Sequence, residues 1–151
     1  MIHTDNERSS LIELGDLVLL VARILRTVPE TDDETAPLSP LECLVLLHLH
    51  SHPGASPSSL AHGLGLTTSN TATALRGLAN KRQIERRKDP ADGRAAKLYL
   101  TDSAERAVDS VHEDWRRLLA AADIDQESLT AAVQTLMRIN QALTKPVAQA
   151  S

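Results

Sequence analysis

The elements predicted between residues 60 and 100 constrain the fold of this chain more than any other feature. A short helix is followed by Gly65, then by a polar helix, and then by two strand-like segments around a charged turn. Gly65 permits a tight turn because glycine adopts left-handed backbone conformations without steric cost. Helix, turn, helix and ribbon in this order predict a winged helix-turn-helix, which is typical of binding to double-stranded DNA.

Charge is distributed unevenly along the chain. Residues 67–98 contain eight basic and three acidic residues, a net charge of +5, although the net charge of the whole chain is −4. Binding to phosphate groups requires a local excess of Lys and Arg of this kind. The acidic overall balance is therefore compatible with a nucleic-acid partner.

Length and composition exclude several other classes of protein. A chain of 151 residues can bury one good core, and its longest apolar run, residues 17–22, is too short for a membrane span of about 20 residues. The polar first ten residues predict no signal peptide, and a single cysteine excludes an internal disulfide, so we expect a cytoplasmic protein. With only Tyr99 and Trp115 as aromatic residues, stacking of unpaired bases is not expected.

Apolar spacing and capping signals predict the first four helices. Residues 9–27 have apolar side chains at helical spacing and predict an amphipathic helix. Residues 28–38 contain two prolines and four acids and are predicted to form a solvated loop that buries nothing. Serine-proline pairs beginning at Ser39 and Ser56 each supply an N-cap and a first-turn proline for the next two helices. Thr67 is placed to cap the fourth.

The fourth helix is predicted to present a polar face to a partner. Asn can pair with adenine in the major groove, Arg with guanine, and Ser or Thr with either. The alternative is an ordinary amphipathic surface helix, but the ribbon that follows favours DNA binding. The side chains expected to face the core are Leu66, Thr71, Ala74, Leu75 and Leu78. Those expected to face DNA are Thr68, Ser69, Asn70, Thr73 and Arg76.

The ribbon is predicted from two short strands, residues 84–88 and 97–100, and the turn formers between them. Arg94 lies at or just after the tip, where a guanidinium can enter the minor groove. Asp92 is expected to brace Arg94 and not to touch anionic DNA. For an isolated turn the better interpretation would be a solvated charged loop. The expected phosphate contacts are Arg86, Arg87 and Lys97.

The last third of the chain predicts two further helices with more apolar surface than one small core needs. Asp102 with Glu105 predicts a capping box at the start of the first, and the second is expected to end near residue 145. Pairing this surface across a two-fold axis is the economical solution. We therefore expect one DNA-binding lobe, residues 38–101, and a helical dimerisation region, residues 9–27 and 102–145.

The segments LSPLECLVLLHL, LAHGLGLTTSNTATALRGL and DPADGRAAKLYLT resemble the MarR (multiple antibiotic resistance regulator) family of bacterial transcription regulators. The wing followed by Leu-Thr is the most specific of them. The resemblance implies an obligate homodimer on pseudo-palindromic operators, with the fourth helix in the major groove and Arg94 in the minor groove. Half-sites should lie roughly 34 Å apart. The resemblance to the family also implies small aromatic or phenolic effectors that bind in a cleft between the dimer helices and the DNA-binding lobe. The protein is expected to be a regulator, in particular a repressor, without enzymatic activity.

The sequence departs from the family pattern at several positions. Gly77 is expected to soften the fourth helix by about 1 kcal/mol relative to Ala, and Arg76 is expected to replace one missing contact. This chain has Cys43 where the family usually has an aromatic residue, and Arg82-Gln83 where the family has a glycine followed by a hydrophobic residue. It has Thr73, Gly77 and Ala91 at positions where the family often has Arg.

Two hypotheses about sensing follow from the residue types. Cys43 could be a redox switch, but it lies between apolar residues without a cation within one helical turn, which favours a buried, inert thiol. A regulatory metal site could form on closely spaced histidines, although no acid or cysteine stands at matching spacing, and we favour no metal. The histidines concerned are His48, His50 and His52, with His62 or His112.

Motifs for catalysis are not found. The chain has no glycine-rich phosphate loop, no serine elbow and no paired carboxylates on one helix face beyond scattered surface acids. We expect neither an enzyme nor a cofactor. A winged helix that serves only as a protein-interaction or architectural module is the alternative to a DNA reader, because a fold does not determine a function.

Overall fold

The computed structural model describes residues 2–26, 37–88 and 96–144, with side chains from residue 8 onward. A two-stranded antiparallel sheet stands between the fourth and fifth helices, which confirms a mainly α fold with a hairpin wing. No described helix is both long and apolar enough to cross a membrane. The elements are α1 (Ile2–Leu25), α2 (Pro40–Ser51), α3 (Pro57–Leu64), α4 (Thr68–Asn80), β1 (Ile84–Lys88), β2 (Ala96–Leu100), α5 (Asp102–Ala120) and α6 (Gln126–Thr144).

The starts of α2, α3 and α4 are set by short-range hydrogen bonds, as the sequence predicts. Ser39 and Ser56 are the N-caps of α2 and α3, and each is followed by proline in the first turn. The side chain of Thr67 accepts a hydrogen bond from the backbone N–H of Asn70 at 3.2 Å. Each cap satisfies an N–H group that the first turn of a helix leaves without a partner.

The core lies where α2, α3, α4, the hairpin and the first half of α5 meet. Every helix in this group contributes an apolar face, and the hairpin contributes one face of each strand. Burial of this surface is the main stabilising contribution to the lobe. The core cluster consists of Leu38, Val45, Leu46, Leu49, Leu60, Ala74, Leu75, Leu78, Ile84, Leu98, Leu100, Ala104 and Val108, and Val111 is buried as well.

The hairpin is anchored to the core at its base. Its register runs from Ile84 opposite Leu100 to Lys88 opposite Ala96. Leu98 also donates its backbone N–H to the carbonyl oxygen of Ala55 at 3.0 Å. The residues just before α3 thus act as a third, very short partner for β2, which positions the wing relative to the helix-turn-helix.

Three sequence predictions are wrong at the ends of elements. The first helix begins at Ile2 and ends at Leu25, whereas residues 9–27 were expected. Leu38 is buried, although it belongs to a segment predicted to bury nothing; it precedes the N-cap of α2, where an apolar side chain packs against the first turns. α5 is capped by Thr101, whose side chain accepts from the N–H of Ala104, and not by Asp102.

Long apolar stripes of α1 and α6 remain exposed in the single chain. α6 has no buried residue along its 19 positions. The exposed large apolar side chains of these two helices include Leu11, Ile12, Leu17, Val18, Leu19, Leu20, Val21 and Ile24 in α1, and Leu129, Val133, Leu136, Met137 and Leu143 in α6. Surface of this extent and composition is typical of a protein-protein interface.

Candidate nucleic-acid interface

The polar face of α4 is exposed, and its apolar face is buried. Thr71, Ala74, Leu75 and Leu78 are buried, as predicted, and Leu66 packs partly against the core. Successive residues of a helix are rotated by about 100° about its axis. This rotation places Ser69, Thr73 and Arg76 at the centre of the side opposite the buried face, and Thr68 and Asn70 at its edges. All five of the residues predicted to face DNA are exposed: Thr68, Ser69, Asn70, Thr73 and Arg76.

The angle between α3 and α4 is set by the turn that joins them. Gly65 ends α3 in a left-handed conformation, with φ of 62°. The N–H of Leu66 then donates to the carbonyl oxygen of Ala61 at 2.8 Å, and the Thr71 hydroxyl donates to the carbonyl oxygen of Thr67 at 2.9 Å. This short bonded turn leaves the outer face of α4 clear of α3.

Sequence reasoning missed two residues on the same face. Ala72 and Asn80 are exposed, and their helical positions fall between or beside those of Ser69, Thr73 and Arg76. A methyl group such as that of Ala72 can contact the thymine methyl in the major groove, and Asn80 can bind bases or phosphate. Spacing of three and four residues from Ser69 and Arg76 is the signal that could have identified Ala72.

A partly buried ion pair attaches α4 to α2. Lys81 Nζ, just after α4, donates to Glu42 Oε2 at 2.7 Å, and the backbone N–H of Ser39 donates to the same oxygen at 2.6 Å. Burial on its own would raise the pKa of Glu42, but the bonds from Lys81 and Ser39 and the Lys81 charge outweigh it, so this pKa is lowered. Lys81 belongs to the basic segment, yet its charge is engaged inside the molecule.

Gly77 makes room for this ion pair. A Cβ atom at position 77 would overlap with the Glu42 carboxylate. The glycine that is expected to soften α4 therefore leaves space for the Glu42 carboxylate, which a larger residue would have to displace.

The hairpin separates the predicted phosphate contacts onto two faces. Residues directly opposite each other in an antiparallel pair share a face. Arg87 stands opposite Lys97, so these two share the outer face of the hairpin. Arg86 stands opposite the buried Leu98 and thus lies on the other face. The structure brings together two of the three predicted phosphate contacts.

Arg87 already has partners within the protein. Its guanidinium pairs with the Glu85 carboxylate at 3.1 Å and lies 4.5 Å from the centre of the Tyr99 ring. Both contacts hold the side chain along the outer face, where it remains more than half exposed. The predicted wing contact Arg94 and its predicted brace Asp92 lie outside the described residues.

The backbone of Arg82, which links α4 to β1, is strained, and the family usually has glycine at this position. Arg82 has a positive φ of 54°, a conformation that costs a residue with a Cβ about 1 to 2 kcal/mol. Gln83, in the usual hydrophobic position, is buried, and its Oε1 atom has no hydrogen-bond partner among the described residues. Its amide nitrogen donates to the carbonyl oxygen of Lys81 at 3.1 Å.

Cys43 is half-buried and lines a cavity. Burial, followed by the negative charge of Glu42, raises the pKa of the Cys43 thiol. A raised pKa disfavours the reactive thiolate, which agrees with an inert thiol and not with a redox switch. The buried thiol that the sequence predicts is only partly buried, because Cys43 also lines the cavity.

The cavity lies between α1, α2 and α5 and has a volume of about 450 Å³. Its lining is apolar except at Arg26, and Trp115 forms one wall. Trp115 Nε1 donates to the carbonyl oxygen of Leu25 at 2.8 Å, which links α5 to the end of α1. The lining residues are Ala22, Leu25, Arg26, Leu38, Pro40, Cys43, Leu44, Leu47 and Trp115.

Two of the predicted candidate metal ligands interact with each other. The rings of His48 and His52 stack with centroids 4.3 Å apart, and His52 Nδ1 lies 3.0 Å from the carbonyl oxygen of His48. Burial, with a smaller contribution from His52, lowers the pKa of His48. This pair therefore has a structural explanation that does not involve a metal.

Comparisons with known proteins agree with this geometry. A family model described as MarR family matches residues 36–95, which hold the helix-turn-helix and the first strand of the hairpin. No curated protein matches. The chain is similar to a crystal structure of a MarR family transcription regulator, with 18% identity over 98% of this chain and 97% of the other, and a TM-score of 0.72.

Two further solved structures have the same fold. Streptococcus pneumoniae FabT in complex with DNA is 21% identical over 95% of this chain and 97% of its own, with a TM-score of 0.59. The crystal structure of the transcriptional regulator SlyA is 17% identical over 89% of this chain and 93% of its own, with a TM-score of 0.63. Residues 36–95 thus match the MarR family model, and the chain as a whole has the winged-helix fold of the MarR transcription regulators among these structures.

Proposed function

We propose that this chain acts as a homodimeric repressor that binds a pseudo-palindromic operator and is released from it by a small molecule. The observation that carries the proposal is the exposed outer face of α4, where Ser69, Thr73 and Arg76 align. Its side chains are short apart from one Arg, and α4 contains no acidic residue. Such a face can approach base edges closely, and Arg76 can pair with guanine.

The exposed apolar stripes of α1 and α6 support a homodimer. A single chain that leaves most of two helices uncovered gains stability when it buries them. A two-fold axis through this region would place two copies of α4 on one side of the assembly, which is the geometry that a palindromic operator requires. Half-sites should then be separated by about one turn of DNA, roughly 34 Å.

The cavity beside Trp115 supports control by an effector. Its walls come from α1 and α5, in the proposed dimerisation region, and from α2, in the DNA-binding lobe. An occupant would therefore contact both parts. The apolar lining with Arg26 at its edge suits an apolar or aromatic molecule that carries an anionic group. To release DNA, this molecule must bind the DNA-free conformation of the protein more tightly than the DNA-bound conformation.

Selection of bound fragments from genomic DNA, with the purified full chain, tests the operator proposal. We expect enrichment of one inverted repeat and an affinity that falls at least about 100-fold between about 50 and 200 mM salt, since several phosphates are contacted. Truncation of Arg94, the predicted wing contact, should weaken this binding. Equal recovery of all sequences, or binding insensitive to salt and to Arg94→Ala, would support the architectural module instead.

The effector cavity can be tested with 1-anilinonaphthalene-8-sulfonate, an apolar aromatic probe with an anionic group. Ala22→Trp should fill the cavity and reduce the fluorescence that develops on binding. Ala79→Trp adds the same side chain to an exposed position of α4 and serves as the control. Equal fluorescence in both variants and the unmodified protein would show that the probe binds elsewhere.

A further inference from the structure

Three potential metal ligands meet at the contact between α2 and α5. His50 stands near the end of α2, and Asp109 and His112 lie three residues apart on α5, so they share one face of that helix. His50 Nε2 is 3.0 Å from Asp109 Oδ1, and the rings of His50 and His112 are 5.1 Å apart between centroids. One ligand atom from each of the three residues lies within 4.8 Å of the other two.

The donor set is suited to a divalent transition metal. Zn²⁺ accepts imidazole nitrogen and carboxylate oxygen at about 2.0 Å in a tetrahedral arrangement, which places ligand atoms about 3.3 Å from one another. His50 Nε2 and Asp109 Oδ1, 3.0 Å apart, already lie near this separation, and all three ligand atoms lie within 4.8 Å of one another. None of the three residues is buried, so small side-chain rotations can bring them to one ion, and water can occupy the fourth position.

We propose that His50, Asp109 and His112 form a binding site for a divalent transition metal ion, with Zn²⁺ as the best match to the ligands. Sequence spacing conceals this site, because His50 and Asp109 are 59 residues apart. Among the residues that the structure describes, this is the one group of three such side chains close enough to share an ion. The stacked pair of His48 and His52 is not part of it.

The location indicates what the ion would do. It would join the end of α2, which belongs to the winged-helix lobe, to α5, which leads away from that lobe. The His112 ring also lies 5.5 Å from the Trp115 ring, which walls the cavity. A ligated His112 would have a defined orientation against Trp115, so the ion would stiffen the junction between the lobe and the cavity.

A simpler arrangement accounts for part of the geometry. His50 and Asp109 can form a hydrogen bond or ion pair without any metal, and His112 can pack on Trp115 as an ordinary aromatic contact. The two arrangements differ in one respect: only the metal site requires all three side chains at once. The test therefore measures metal affinity and thermal stability, which do not depend on DNA binding.

The experiment titrates the full chain, first stripped with a chelator, with Co²⁺ and with Zn²⁺. We expect one Co²⁺ per chain with visible absorption bands of a four-coordinate ion, displacement by Zn²⁺, and a higher Tm with either metal. Asp109→Asn keeps the size of an exposed side chain, so it should fold normally. We expect each of three variants to lower the Zn²⁺ affinity by at least about 100-fold: Asp109→Asn, His50→Ala and His112→Gln. Loss of a residue that only hydrogen-bonds to a metal ligand already costs about 10- to 100-fold in affinity.

Matched controls are available on the same chain. His62→Ala removes an exposed histidine outside the group, and His52→Ala removes one member of the stacked pair; both should leave Zn²⁺ affinity unchanged. The proposal is wrong if the unmodified chain shows no saturable binding. It is equally wrong if the three ligand variants retain the affinity, or if the control variants lose it to the same extent.

Discussion

Gly77 of α4 leaves the space that the carboxylate of Glu42 of α2 occupies. Glu42 in turn holds Lys81, at the end of α4, through a bond of 2.7 Å, and caps its own helix at Ser39. One carboxylate therefore determines how the start of α2 packs against the second half of α4. This attachment fixes α4 from behind while its outer face remains open.

The first prediction concerns Gly77→Ala. Alanine favours the helix by about 1 kcal/mol, but the new methyl group must displace the Glu42 carboxylate. We expect a net decrease of about 1 to 3 kcal/mol in the free energy of unfolding, measured by urea denaturation. In a Glu42→Ala background the same change should be neutral or stabilising. A stabilising effect in the unmodified chain would contradict the proposed overlap.

The second prediction concerns the pH dependence that Glu42 confers. Its pKa in the folded protein lies below the ordinary value of 4.5, so the folded state binds this proton less readily than the unfolded state. The contribution of Glu42 to stability is therefore present above pH 4.5 and disappears as the pH falls through the lower, folded-state pKa. Glu42→Gln should cost about 1 to 3 kcal/mol at pH 7. Its unfolding free energy should approach that of the unmodified chain near pH 3, and a constant difference from pH 7 to 3 would refute this.

The third prediction concerns the positive φ of Arg82. Arg82→Gly should raise the free energy of unfolding by about 1 kcal/mol, because glycine adopts this conformation without strain. Part of the gain is offset by the greater entropy of glycine in the unfolded chain. Arg82→Ala removes the same charged side chain but keeps the strain, so it should not stabilise. Thermal unfolding of the two variants separates relief of strain from loss of charge.

The fourth prediction compares two arginines on DNA. Arg76→Ala should cost about 1 to 3 kcal/mol on the preferred site and relax specificity at one base position. Arg87→Ala should weaken binding to all sequences alike and reduce the salt slope by about one. Arg116 is exposed on α5 and paired with Glu113, and Arg116→Ala is expected to change neither quantity. Binding curves on specific and random duplexes at several salt concentrations measure both effects.

The fifth prediction tests the dimer. Val133 and Leu136 of α6 are each nearly half exposed in the single chain. Val133→Glu or Leu136→Glu should place a charge in the dimer interface and shift the protein to monomers in sedimentation equilibrium. Gln134→Glu adds the same charge on the same helix without replacing an apolar side chain and should leave the dimer largely intact. A monomeric unmodified chain would refute the dimer itself.

Much of the fold could be predicted because its signals are local. Ser39, Ser56 and Thr67 cap helices through bonds to residues three positions away, and alternation along β2 places Leu98 and Leu100 in the core. The exposed face of α4 was predicted for the same reason, since helical periodicity determines which side chains share a side. The positions of Arg94 and Asp92 stay predictions.

Contacts between distant segments could not be predicted in this way. The acidic residues before Leu38 predict a solvated loop, yet Leu38 packs into a core formed by α2, α3, α4, the hairpin and α5. Arg86 and Arg87 look equivalent as charges, but the strand pairing places them on opposite faces.

The order of the helices, the caps of α2, α3 and α4, the hairpin and the outward face of α4 follow from the sequence, because each depends on bonds and periodicities within a few residues. Only the packed chain shows that Gly77 accommodates Glu42, that Lys81 is paired with Glu42, and that His50 meets Asp109. These relationships join residues tens of positions apart. Their physical basis is the packing of helices on one another, which brings particular side chains together only after the core has formed.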